Sequence, residues 1–368
     1  MNRRNWLKIS ALLGVSTYLG TSYAAQTGCW SPAFSDLPQE WLRLGSNENP
    51  YGCSPKVMQA MQAALKECNR YPNFDLLLQK LSDYHQIAKE QICITAGSSE
   101  ALALAAIAFA RNKRENIITA KPTFNVFPDI AERLGTKRID VPLTAEKVID
   151  LHAMAAAVNK RTAAVYVCNP NNPTGSKLET ETLHNFVRTI SQKTTVVVDE
   201  VYHDFIEAPS LIAQTANNPR LVVIRSFSKV YGLAGMRIGY AVAHPDTIKK
   251  MTALIARPGI CISQAGVAGA IAALEDRDFV RMSVEKNRES QEILYAYLRQ
   301  AGIRYIPSYA NLVYFSLEGF PKTYLEDMKA RKVIVREIDD YGQRWCRVSM
   351  GSPEEMKRFV EILKSMRS

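Results

Sequence analysis

From Gln91 to Tyr240, short runs of β-branched and aliphatic residues alternate with longer runs of helical spacing. The short runs predict strands over Ile92 to Thr95, Asn116 to Thr119, Ala163 to Cys168, Thr194 to Val198, Leu221 to Ile224 and Arg237 to Val242. The longer ones predict helices over Ser99 to Arg111, Val148 to Asn159 and Leu178 to Ser191. Alternation of this kind builds an α/β fold, a doubly wound and mostly parallel sheet with helices on its faces. Ala101 to Ala110 is wholly apolar, and its length suits a helix buried in a core rather than a membrane span.

The pattern changes after Pro258. A long charged helix over Phe279 to Gln300 precedes short strands near Leu312 to Ser316, Val333 to Arg336 and Cys346 to Ser349. A final helix follows over Pro353 to Met366. This predicts a second, smaller α+β domain. The expected division is a large domain over 67–258 and a small one formed by 34–66 with 259–368.

At 368 residues and 47% hydrophobic content the chain is long and apolar enough to bury a large core. Its net charge of +10 is scattered, with no block of five like charges. That argues against a nucleic-acid partner and for a solvated surface or a pocket for an anionic ligand. The N-terminus reads as an export signal over 1–24. Arg3-Arg4-Asn5-Trp6-Leu7-Lys8 is basic, Ile9 to Leu19 is mostly apolar, and Ser22-Tyr23-Ala24 offers small residues for cleavage. The arginine pair resembles a twin-arginine signal, which carries folded proteins to the periplasm. A general secretory signal and a cytoplasmic location are the alternatives. No stable membrane span is expected once the leader is removed. The seven cysteines form no Cys-x-x-Cys pair, and His203 beside Asp204 has no second ligand cluster. Neither a disulfide framework nor a metal site follows.

In a parallel sheet, ligands gather at the carboxyl ends of the strands. Four predicted strands end in polar groups. Gly97-Ser98-Ser99 precedes a helix, with Gly97 allowing close backbone approach and the serines able to cap. Asn169-Pro170-Asn171-Asn172-Pro173-Thr174-Gly175 is a stiff turn that holds an asparagine amide in place, or an ordinary Asx-Pro turn. Asp199 closes an apolar strand, where a buried carboxylate needs a partner, and Tyr202 follows three residues on. A helix-capping aspartate is the plainer reading. The fourth end is Ser226-Phe227-Ser228-Lys229, with Arg237 eight residues beyond the lysine. Taken alone the run reads either as an ordinary solvated strand end or as an anchor in which Lys229 forms a Schiff base with an aldehyde while Ser226, Ser228 and Arg237 hold a phosphate. Pyridoxal phosphate (PLP) carries both groups on one ring, and its protonated ring nitrogen suits Asp199.

With these motifs in this order, the chain resembles the fold-type-I PLP enzymes of aminotransferase class I/II, and among them the histidinol-phosphate aminotransferase group. The resemblance runs from Leu42 onward. Leu44-Gly45-Ser46-Asn47-Glu48-Asn49-Pro50-Tyr51-Gly52 resembles that group's N-terminal signature, which puts Asn49 beside the substrate. Tyr71, in Arg70-Tyr71-Pro72, matches a tyrosine that reaches the phosphate in a neighbouring subunit, which implies a homodimer. Phe124 matches the ring that stacks on the cofactor, without the hydroxyl common there. Arg347 matches the arginine that grips a substrate carboxylate, and Arg336 one that meets a substrate phosphate. Ser98 and Ser99 replace a more acidic loop, and Ser46 stands where alanine is usual.

The resemblance implies transamination between an amino donor, such as histidinol phosphate or an aromatic amino acid, and a 2-oxo acid such as 2-oxoglutarate. Lys229, Asp199 and Tyr202 would carry the chemistry. Gly97, Ser98, Ser99, Phe124, Asn172, Ser226, Ser228, Arg237 and Tyr71 would hold the cofactor. A threonine-phosphate decarboxylase-like enzyme and a non-catalytic binding protein of the same fold are the alternatives. The export leader is a departure, because histidine biosynthesis is cytoplasmic.

Overall fold

A computed structural model describes residues 40–367, apart from 111, 113–114 and 256–260. The leader assigned to 1–24 lies outside the described residues, as does Arg111 at the end of one predicted helix. The described chain from Leu42 onward is one compact unit.

Its main sheet has seven strands: β2 (Ile92–Thr95), β3 (Asn116–Lys121), β4 (Lys137–Pro142), β5 (Thr162–Cys168), β6 (Thr195–Asp199), β7 (Leu221–Ser226) and β8 (Gly239–Ala243). They lie in the order β2-β8-β7-β6-β5-β3-β4. The pairs from β7 across to β4 are parallel, and β8 runs against both of its neighbours. Antiparallel pairing on both sides of β8 makes β2 run the same way as β7. The carboxyl ends of β2, β5, β6 and β7 therefore share one edge. Both faces are covered, which is why these strands are almost unbroken apolar runs. Val165, Val167, Val196 and Val198 enter the core on one face. Ala164, Tyr166, Cys168 and Val197 enter the core on the other. The apolar helix Ser98–Phe109 lies in that second core. No described helix is long and apolar enough to cross a membrane.

A second sheet of four antiparallel strands has the order β12 (Arg336–Asp340), β13 (Gln343–Ser349), β10 (Leu312–Ser316), β9 (Tyr305–Ile306). The helices Arg277–Gln300 and Pro353–Ser365 pack beneath it in a core of their own. β1 (Leu42–Arg43) pairs in parallel with β11 (Val333–Ile334).

The packing corrects one grouping expected from sequence. Helices Pro55–Ala64 and Gln264–Glu275 pack on each other and join the large sheet's core, not that of the small sheet. The cause is a stripe of small residues on the second helix. A Cβ at Gly269 would press on the Met61 side chain at 3.0 Å, so glycine eases the close approach of the two helices.

Candidate active site

Asp199 ends β6, directly opposite Cys168 on β5 and Ile224 on β7. It is 1% exposed. Its Oδ2 accepts from the Tyr166 hydroxyl at 3.1 Å and its Oδ1 from the Val201 amide at 3.1 Å. Both donors are neutral. Burial pushes the carboxyl up to about 6, with its two hydrogen bonds and then Lys229 acting against that rise. A carboxylate in this setting is suited to a cationic partner that the protein itself does not press against it.

Lys229 lies three residues past the end of β7. The turn is folded by Ser226, whose Oγ accepts from the Ser228 amide at 3.0 Å and donates to the Ser228 hydroxyl at 2.9 Å. Lys229 Nζ donates to the Ser46 carbonyl at 3.2 Å and lies 5.8 Å from the centre of the Tyr202 ring. The residue is half-buried. Burial of the amine, and then the Arg347 guanidinium, lower its pKa to about 8. Gly232 closes this turn at φ 69, where a Cβ would run into the Gly52 backbone. The lysine loop is thereby seated on the Leu44–Gly52 segment.

Gly97 precedes the helix Ser98–Phe109 with φ 84, and no side chain caps that helix. The expected serine caps are absent because Ser98 and Ser99 are the first two helical residues, one place too late. A Cβ at Gly97 would fall on the Arg237 guanidinium, and one at Gly239 would meet the Ser98 amide at 2.7 Å. Arg237, itself at φ 51, donates from Nη1 to the Ala234 carbonyl at 2.8 Å. A glycine cradle, a helix N-terminus and a guanidinium thus meet in one corner, a set of groups suited to a phosphate.

Facing Lys229, the Tyr202 hydroxyl accepts from Asn47 Nδ2 at 2.8 Å and Asn172 Nδ2 at 3.4 Å. Asn172 Oδ1 in turn accepts from Arg347 Nη1 at 3.0 Å. Arg347 Nη2 and Arg336 Nε both donate to the Gly45 carbonyl. Arg347 Nε is buried with no partner among the described residues.

One residue is held otherwise than expected, and another joins the site. The side chain of Asn49, expected beside the substrate, is engaged within the protein. Its Nδ2 donates to Val230 O at 2.8 Å and Ser283 Oγ at 3.1 Å, and its Oδ1 accepts from the Tyr51 amide. Asn47, which sequence reasoning missed, takes the place beside Tyr202 and also bonds Ser349. Its φ of 53 is a conformation asparagine tolerates, but nothing in the sequence states that in advance. Phe124 is half-buried beside the core carrying Tyr166. Tyr71 is 78% exposed on the rim of a groove of about 390 Å³ with Ile262 and Ser263.

Pyridoxal phosphate fits these residues. There is an amine of lowered pKa, a buried carboxylate with only neutral donors, a phosphate corner that a Cβ would fill, and an unpartnered guanidinium nitrogen.

The chain matches the family Aminotransferase class I and II over residues 39–363. It is 36% identical to a histidinol-phosphate aminotransferase 1 of Nitrosococcus oceani, over 88% of each chain. It is 34% identical to a histidinol-phosphate aminotransferase 1 of Idiomarina loihiensis, over 89% of this chain and 90% of the relative. Its fold resembles the crystal structure of histidinol-phosphate aminotransferase from Sinorhizobium meliloti in complex with pyridoxal-5'-phosphate. There the TM-score is 0.81 and the identity 26%, over 92% of this chain and 98% of the other. The chain therefore belongs to the class I and II aminotransferases and is a PLP-dependent transaminase.

Proposed function

We propose that this aminotransferase takes its amino group from histidinol phosphate, or a donor much like it, and passes it to 2-oxoglutarate. One observation carries the choice of donor. Arg336 and Arg347 are directly opposite each other on β12 and β13. Like charges in that relation are unfavourable, yet both guanidiniums converge on the Gly45 carbonyl. Burial, and then the Arg336 guanidinium, set the Arg347 guanidinium below its ordinary pKa, with Tyr202 acting against them. Two guanidiniums side by side suit an anionic substrate, such as the phosphate of histidinol phosphate. The names borne by relatives at 34–36% identity support the same donor.

PLP, when bound, supplies a sink for the charge left at the substrate's α-carbon. The chain's own residues do the rest. Gly97, the amides of Ser98 and Ser99, Ser226, Ser228 and Arg237 would hold the phosphate. Phe124 would flank the ring, Asp199 would meet the ring nitrogen as an anion, and Tyr202 with Asn172 would hold the opposite edge. Lys229 would hold the cofactor covalently, and its amine is the group that would take the α-proton of the amino substrate. A lowered pKa makes its amine neutral enough to act as base near neutral pH. Arg347 holds a carboxylate of the 2-oxo acid, and Arg336 the phosphate of the donor.

The exposure of Tyr71 suits a homodimer in which it completes the neighbouring site. Sedimentation of the full chain tests this, and a monomer that turns over at full rate contradicts it. The leader is read as exporting the folded enzyme to the periplasm. Fractionation of cells tests that, and activity confined to the cytoplasm contradicts it.

The deciding experiment is a panel of amino donors with 2-oxoglutarate. Histidinol phosphate should give the highest kcat/KM. Arg336→Ala should lower that value by about 10- to 100-fold, the worth of one charge-assisted bond, and leave aromatic amino acids nearly unchanged. Equal losses for both donors contradict the phosphate role.

A further inference from the structure

We infer that Tyr166 is a positioning residue for transamination, its hydroxyl holding the Asp199 carboxylate in the one orientation that meets the cofactor's ring nitrogen. The inference rests on the assignment of Asp199 made above.

The placement follows from strand geometry. Tyr166 pairs with Val197 on the neighbouring strand, and Cys168 pairs with Asp199. Tyr166 and Asp199 are therefore diagonal neighbours on one face of a parallel pair, a span that an aromatic side chain bridges. The Tyr166 ring is fully buried and stacked on Phe127 at 5.4 Å between centroids and 13° between planes. So packed, it has little freedom, and its hydroxyl reaches Asp199 Oδ2 at 3.1 Å. The Val201 amide takes the other oxygen. With one donor on each oxygen, the carboxylate plane is held in one orientation. A tyrosine hydroxyl inside an otherwise apolar strand needs such a partner.

Tyr166 has a chemical effect as well as a steric one. A hydrogen bond donated to the carboxylate favours its anion. It acts against burial, which favours the neutral acid. The other groups that act on Asp199 are Cys168 on β5, Glu200 and Tyr202 just beyond β6, and Lys229 beyond β7. Of the charged ones, Lys229 favours the anion and Glu200 opposes it. Tyr166 differs from all of these in bonding the carboxylate directly through its side-chain hydroxyl.

The test measures PLP dissociation constants against pH, by fluorescence, on the cofactor-stripped full chain. Variants are Tyr166→Phe, Asp199→Asn and the pair together. Affinity for PLP should weaken as pH falls and Asp199 takes up a proton. In Tyr166→Phe that weakening should move up by about one pH unit, the worth of a hydrogen bond to a charged group. PLP's phosphate also titrates near pH 6, and its share persists in Asp199→Asn. In the Asp199→Asn background, Tyr166→Phe should add no shift, because Tyr166 acts through the carboxylate. A profile that does not move in Tyr166→Phe while Asp199→Asn is impaired overturns the role of Tyr166 alone. An equal shift in both backgrounds overturns it too. An Asp199→Asn profile identical to the parent overturns the cofactor assignment of Asp199, and the Tyr166 role with it.

Discussion

Arg347 on β13 donates from Nη1 to Asn172 Oδ1 at 3.0 Å, joining the small sheet to a strand-end loop 175 residues away. The same guanidinium reaches Gly45, and its Nε has no partner among the described residues. Its planar fork, and not its charge alone, makes these contacts. Arg347→Lys should therefore lower kcat/KM for 2-oxoglutarate by about 10- to 100-fold, mostly through KM. Steady-state kinetics checks this, and an unchanged KM means the carboxylate sits elsewhere.

Gly97 is expected to tolerate no side chain. Its φ of 84 alone costs another residue about 1–3 kcal/mol, and a Cβ would displace Arg237. Gly97→Ala should lower PLP affinity more than tenfold and reduce the melting temperature of the cofactor-free protein. Fluorescence titration and thermal melts measure the two effects. Affinity equal to the parent contradicts the phosphate corner.

The lowered pKa of Lys229 has a kinetic signature. Only the neutral amine attacks an aldehyde. With a pKa near 8 instead of 10.5, the neutral fraction at pH 7 is about 300 times that of an ordinary lysine. Attachment of PLP to the cofactor-free chain should speed up as pH rises and level off near pH 8. Stopped-flow absorbance follows it. A rate still climbing tenfold per unit at pH 10 contradicts the buried, cation-flanked amine.

The strand ends were legible because each is a local run of β-branched residues followed by polar groups. The runs at Ile92–Thr95 and Leu312–Ser316 have the boundaries read from sequence, and β5, β6 and β7 differ by one or two residues. β4 escaped notice because Lys137–Pro142 is an edge strand with charges and a terminal proline. The stretch Val333 to Arg336 reads as one strand but divides. Val333–Ile334 pairs with β1, and a new strand starts at Arg336 against β13. Partner choice of that sort is not local. Neither is the pairing of Asn47 with Tyr202 and Ser349, 155 and 302 residues distant. Asn47 and Asn49 are two asparagines of one short run, and only the fold decides which meets the site. The packing of helices Pro55–Ala64 and Gln264–Glu275 in the large sheet's core is likewise non-local, two segments distant in the chain meeting at Met61 and Gly269.

Borohydride reduction of the PLP-loaded enzyme, followed by peptide mass spectrometry, tests the central claim most directly. The account predicts a reduced pyridoxyl group on Lys229 and its loss, with loss of turnover, in Lys229→Ala. A pyridoxyl group on another lysine, or turnover retained in Lys229→Ala, would contradict it.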